Sequence, residues 1–212
     1  MTMKVLFLGD SITDTGRNTN NGSLLSIGQG YALIASAKLS VKYPGKFEFV
    51  NLGISGNRIV DVYARIKADC WNLQPDVISI LIGVNDVWHE FGAGKNGVDA
   101  ERFYNVYKML IEDTMKKLPG VRFLLMEPFC LKGSGTENYL EEFKSEVSLR
   151  AQAVRRLADE FNIPFVSLQE MFENACEICP AEYWLGDGVH PAIAGHQLIA
   201  DEWLKAFEAK II

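Results

Sequence analysis

Short apolar runs alternate along this chain with longer stretches in which apolar residues recur every three or four positions. Residues 5–8, 47–52, 76–82, 121–126 and 163–166 read as strands. The third run, DVISILI, is almost continuously apolar and β-branched, the signature of a strand covered on both faces of a parallel sheet. Residues 31–43, 59–71, 99–118 and 138–161 carry the helical period. In 99–118, Phe103, Val106, Tyr107, Leu110, Ile111 and Leu118 share a face, and Pro119-Gly120 ends the element. In 138–161, Phe143, Val147, Ala151, Val154, Leu157 and Phe161 point inward. A last helix opens at Pro191, a favoured first helical position, with Ile199, Trp203 and Phe207 along one side.

Strands that alternate with helices predict an α/β fold, a parallel sheet with helices on both faces. No repeat, low-complexity tract or linker interrupts the pattern, so a single domain over residues 1–212 is expected. The least regular segments are 17–29, 88–98 and 129–137. The first two follow polar strand ends, where open α/β sheets hold ligands, and are predicted as pocket walls.

Composition narrows the function classes. A formal charge of -6 leaves no broad basic footprint for nucleic acid or an anionic membrane surface. No apolar run approaches the ~18 residues of a membrane span. The apolar stretch after MTMK is shorter than the ~7–15 residues of a secretory signal, so it reads as the first strand and a cytoplasmic protein is expected. Of the four cysteines, Cys176 and Cys179 have CxxC spacing. No second pair or spaced histidines accompany them, so they read as two thiols on a short helix or loop, with no metal or cofactor required.

The polar residues at the strand ends carry the chemistry. The first strand runs into GDSIT, Gly9–Thr13 in the sequence, with Ser11 as a candidate nucleophile. Such a serine needs a histidine base, and the base needs an orienting carboxylate. The chain has three histidines, and His190 in DGVHP follows Asp187 by three residues. That turn can bring the Asp187 carboxylate to Nδ1 of His190 and leave Nε2 facing outward; taken alone, DGVHP reads better as a capping turn ahead of a helix, and the other strand ends decide otherwise. NLGISGN follows the second strand and IGVND the third. Gly53 can offer a backbone N–H, Asn85 a side-chain amide and Ser11 its own N–H to an oxyanion.

GDSIT, the glycine of NLGISG, the asparagine of GVND and the Asp-x-x-His of DGVHP occur in the order of the blocks of the SGNH (GDSL) hydrolases, which the chain resembles from Gly9 to Pro191. The resemblance implies a flavodoxin-like three-layer α/β/α fold and a serine esterase in which Ser11 is nucleophile, His190 base and Asp187 its orienter. Ser11, Gly53 and Asn85 would form the oxyanion hole. The G-x-S-x-G elbow of the α/β-hydrolases is absent. GISGN, IGVNDVW and YWLGDGVHPAIAGH further resemble bacterial acetylxylan esterases and related carbohydrate acetyl esterases, and this likeness points to a homo-oligomer.

The expected function is hydrolysis of short-chain acetyl esters, with O-acetyl groups on xylo-oligosaccharides or other sugars as substrate. The alternatives are a lysophospholipase or thioesterase of the same family, and a non-catalytic carbohydrate-binding protein on the same scaffold. Trp88 and Trp184 flank the asparagine and aspartate motifs and suit either a sugar face or the core. Arg58 suits substrate contact or surface packing, His89 a pocket or a solvated loop. His196 reads as structural, and Asp10 and Asp86 as braces for their loops.

Overall fold

The computed structural model describes residues 2–19, 24–92 and 94–212. The order of elements is β1 (Met3–Gly9), α1 (Ser11–Asp14), α2 (Tyr31–Lys42), β2 (Phe47–Asn51), α3 (Ile59–Asp69), β3 (Val77–Leu81), α4 (Val84–Phe91), α5 (Ala100–Lys117), β4 (Arg122–Met126), α6 (Leu140–Phe161), β5 (Phe165–Val166), α7 (Gln169–Ala175), α8 (Ala181–Trp184) and α9 (Ile193–Lys210). The strands form one parallel sheet in the order β2-β1-β3-β4-β5.

Successive residues of β1 point to opposite faces, and both faces are buried. Val5 and Phe7 join one core with Tyr31, Ala35, Leu39, Ile199, Trp203 and Phe207, which come from α2 and α9. Leu6 and Leu8 join the other with Val62, Ile66, Phe103, Tyr107 and Leu110, which come from α3 and α5. The result is a three-layer α/β/α sandwich in flavodoxin strand order. Each fully buried aliphatic side chain contributes ~1.5–3 kcal/mol, which is why the apolar runs settle in the sheet. Ser79, inside β3, is satisfied by the indole N–H of Trp203 at 2.8 Å.

The chain leaves β1 for β2 on one side and returns to β3 on the other. The carboxyl end of β1 therefore lies between those of β2 and β3, at a topological switch point.

Three elements differ from the sequence pattern. The last helix starts at Ile193; Pro191 instead pairs with Leu185 in an isolated antiparallel bridge. Residues 84–91, part of which read as loop, form α4, so His89 stands in a helix. The strand expected over 163–166 pairs only at Phe165 and Val166. Of the predicted pocket walls, residues 20–23 and 93 lie outside the described residues. Among the described residues no helix is long and apolar enough to cross a membrane.

Candidate active site

Ser11 opens α1, a single helical turn. Asp10 caps it, its Oδ1 accepting the Ile12 N–H at 3.0 Å, and Thr15 closes it in the left-handed region at φ 39°. The turn holds Ser11 at the end of β1. The Ser11 Oγ lies 2.7 Å from Nε2 of His190.

His190 is placed by the turn before α9. Oδ1 of Asp187 accepts the N–H groups of Val189 and His190 at 2.9 and 2.7 Å, and Oδ2 stands 2.6 Å from Nδ1 of His190. These bonds assign the tautomer: Nδ1–H donates to Asp187, and Nε2 accepts from Ser11. Burial by itself would raise the Asp187 carboxyl, but the His190 imidazole and the two N–H donors outweigh it and hold it at about 2. The hydrogen bond to that carboxylate holds the His190 imidazole above its ordinary value, against partial burial. Ser11, His190 and Asp187 thus form a continuous relay, with the base kept in its accepting tautomer.

The donors around Ser11 depart from the sequence reading at one position. The Gly53 N–H, expected to face an oxyanion, donates to Oδ1 of Asn51 at 2.9 Å, and the Gly53 carbonyl accepts Nε of Arg17 at 2.6 Å. Asn51 is itself fixed, its amide donating to the carbonyls of Thr13 and Ile27. The open N–H of this loop belongs to Gly56. Asn57 N–H bonds back to the Ile54 carbonyl at 3.1 Å, and Gly56 takes the third position of that turn with φ 81°, the conformation that favours glycine. Among the described residues the Gly56 N–H takes no partner.

Two tethers fix the residues on either side of Gly56. On one side the Ser55 N–H and hydroxyl both donate to Oδ2 of Asp14, at 3.2 and 2.9 Å. On the other, the Asn85 amide donates to the Asn57 carbonyl at 3.1 Å, and its second N–H takes no partner among the described residues. The signal for Gly56 was the second glycine of GISGN, where only a left-handed residue fits the turn.

Asp10 and Asp86 are fully buried braces, as expected. Both Asp86 oxygens accept the Ile59 N–H at 3.0 and 3.2 Å, tying the start of α3 to α4. Burial lifts the Asp10 carboxyl to about 7 against the pull of the Ile12 N–H. It lifts Asp86 to about 7 as well, with the Asp10 charge adding to the effect. Oδ2 of Asp10 has no hydrogen-bond partner.

Of the three proposed pocket residues, Trp88 alone meets the relay. Its ring lies 5.7 Å from that of His190, and with Asn85, His89 and Asn96 it borders a cavity of about 450 Å³. Burial and the nearby Arg58 lower the His89 imidazole. Trp184 is core: it is buried, and its indole N–H donates to the carbonyls of Ala175 and Cys179 at 3.1 Å each. Arg58 is a brace: its guanidinium pairs with Asp61 at 2.9 Å and bonds the Asn96 carbonyl. Cys176 and Cys179 are free, half-buried thiols at the end of α7 and in the turn after it.

The model of the GDSL-like Lipase/Acylhydrolase family matches residues 7–198. An acetylxylan esterase of Geobacillus stearothermophilus is 32% identical over 208 residues, covering 95% of this chain and 92% of that protein. The crystal structure of Axe2, an acetylxylan esterase from that organism, superimposes with a TM-score of 0.87 at 32% identity, covering 96% of this chain and 93% of that one. A GDSL-like protein from Parabacteroides merdae ATCC 43184 does so with a TM-score of 0.92 at 38% identity, covering 98% and 96%.

Proposed function

The chain belongs to the GDSL-like lipase/acylhydrolase family and is a carboxylic ester hydrolase, and from that premise we propose that it removes acetyl groups from acetylated sugars through an acyl-enzyme on Ser11. The observation that carries the mechanism is the unbroken line of hydrogen bonds from Ser11 Oγ through His190 to Asp187. The substrate class follows the Geobacillus relative, and the Trp88 ring beside His190 offers a flat apolar face of the kind sugar rings pack on.

In acylation, His190 Nε2 takes the Ser11 proton as Oγ attacks the ester carbon. Asp187 holds the imidazolium so formed. The carbonyl oxygen becomes an oxyanion, accepting from the N–H groups of Ser11 and Gly56 and from the second amide N–H of Asn85. The C–O bond to the alcohol breaks, and the leaving oxygen takes the proton from His190. In deacylation His190 draws a proton from water, hydroxide adds to the acetyl carbon, and Ser11 leaves with the proton returned.

The test is acetate release from acetylated xylo-oligosaccharides and acetylated monosaccharides, beside a p-nitrophenyl ester series from acetyl to octanoyl. Acetate release with rates falling along the series is expected. Rates that rise toward octanoyl, with no acetate from any sugar, would establish the lysophospholipase or thioesterase alternative.

A further inference from the structure

The mechanism leaves unused a second histidine beside the first. On the side of Ser11 that His190 lines, a cavity of about 350 Å³ is bordered by Ser11, Ile12, Gln29, His190, Pro191 and His196. His196, on α9, is buried. Its Nδ1 accepts the Tyr31 N–H at 3.2 Å, at the start of α2. Nδ1 therefore carries no proton, and the neutral ring must carry it on Nε2. Nε2 takes no hydrogen bond among the described residues and is not among the fully enclosed unpaired atoms, so it remains reachable.

The ring is fixed from behind. It stacks on Tyr31 with centroids 6.5 Å apart. It also lies against Gly30, where a Cβ would come within 2.7 Å of its Cε1, so glycine makes room for it. Burial, and then the charge of His190, lower the His196 imidazole to about 4, so it stays neutral through turnover. A second cation there would oppose the imidazolium that acylation creates. His196 thus borders the cavity as a neutral ring whose one N–H is on Nε2.

The leaving alcohol must accept its proton from His190, and His190 borders this cavity. We propose that His196 sets alcohol specificity, its Nε2–H donating to a ring hydroxyl of the departing sugar. The proposal rests on the deacetylase reading above and adds the group that recognises the alcohol. A hydroxyl-bearing leaving group pairs this donor, whereas an alkyl one leaves it buried and unpaired. Sites built to bond a hydroxyl reject analogues that lack it.

His196→Asn is the informative variant, because its amide oxygen can still accept the Tyr31 N–H while the Nε2 donor is removed. The ratio of kcat/KM for an acetylated xyloside to that for p-nitrophenyl acetate is expected to fall about 5- to 10-fold, mainly through KM. An unmoved ratio overturns the proposal, even when both activities drop together. Wild-type protein assayed on single-deoxy analogues of the xyloside needs no variant. One deoxy position is expected to lose a similar factor in the wild type and little more in His196→Asn, and a series with no sensitive position overturns the assignment. Wild-type protein that cleaves p-nitrophenyl acetate but no acetylated sugar would refute the sugar reading itself, a result separate from the ratio.

Discussion

Oδ1 of Asn51 holds the Gly53 N–H at 2.9 Å, while the Gly56 N–H, three residues further on, takes no partner among the described residues. If Gly56 and Asn85 act together on the oxyanion, Asn85→Ala should lower kcat about 10²- to 10³-fold with little change in KM. Asn51→Ala should act differently. It orphans the buried Gly53 N–H and two carbonyls, each costing ~1–3 kcal/mol, so the midpoint of thermal unfolding should fall first. Steady-state kinetics paired with thermal melts separates the two.

Ser11→Ala should abolish hydrolysis of p-nitrophenyl acetate and leave the fold intact, because among the described residues Ser11 Oγ bonds only to His190. A fluorophosphonate probe should label the wild type and not the variant. Labelling of the variant, or residual turnover, would move the nucleophile elsewhere.

The acid limb of kcat/KM should report His190. Acylation needs the neutral imidazole, and the Asp187 carboxylate holds its pKa above the ordinary 6.5. Activity should therefore fall as pH drops through a midpoint above 6.5. Asp187→Asn removes the charge and frees the wrong tautomer, so kcat should fall by several orders of magnitude, about 10⁴-fold where such a change has been measured in a serine protease. A wild-type limb well below 6.5 would contradict the relay.

The two buried carboxyls make a prediction about stability with the opposite sign from that of Asp187. Asp10 and Asp86 are raised from 3.8 to about 7, so between those values the folded chain binds more protons than the unfolded one. Stability should fall across that window as pH rises, at up to about 1.4 kcal/mol per pH unit for each group. Asp187, lowered from 3.8 to about 2, contributes stability above 3.8 that is lost as pH falls toward 2. His196, lowered from 6.5 to about 4, opposes the two carboxyls between those values, so the fall should be clearest from pH 6.5 to 7. Asp10→Asn, which keeps an acceptor for the Ile12 N–H, should raise the melting temperature more at pH 8 than at pH 5. Equal shifts at both values would show that Asp10 does not carry the proton.

Much of this was legible along the chain because periodicity and strand-end chemistry are local. The apolar run of β3 announces a doubly covered strand, and the Asp-x-x-His spacing of Asp187 and His190 announces their turn. What the chain conceals is where a polar atom finds its partner. Arg58 and Trp184 look available in one dimension; in the fold Asp61 takes the first and two carbonyls take the second. The Arg58–Asp61 spacing hinted at this pairing, since residues three apart meet on a helix. Gly53 failed for the same reason, through a side chain two residues away. His196 read as structural and is a buried acceptor of the Tyr31 N–H, though that long-range partner leaves no mark in sequence. The helix over residues 84–91 was hidden behind the GVND motif and the glycines after it.

The relay spans the chain almost from end to end, with Ser11 in its first turn and Asp187 and His190 just before its last helix. During synthesis the nucleophile leaves the ribosome 179 residues ahead of its base. A nascent chain can pair β1 with β2 and β3 long before any Asp187 or His190 exists to activate Ser11. Hydrolytic competence therefore waits for His190, and a fragment that stops short of it carries a serine with no base.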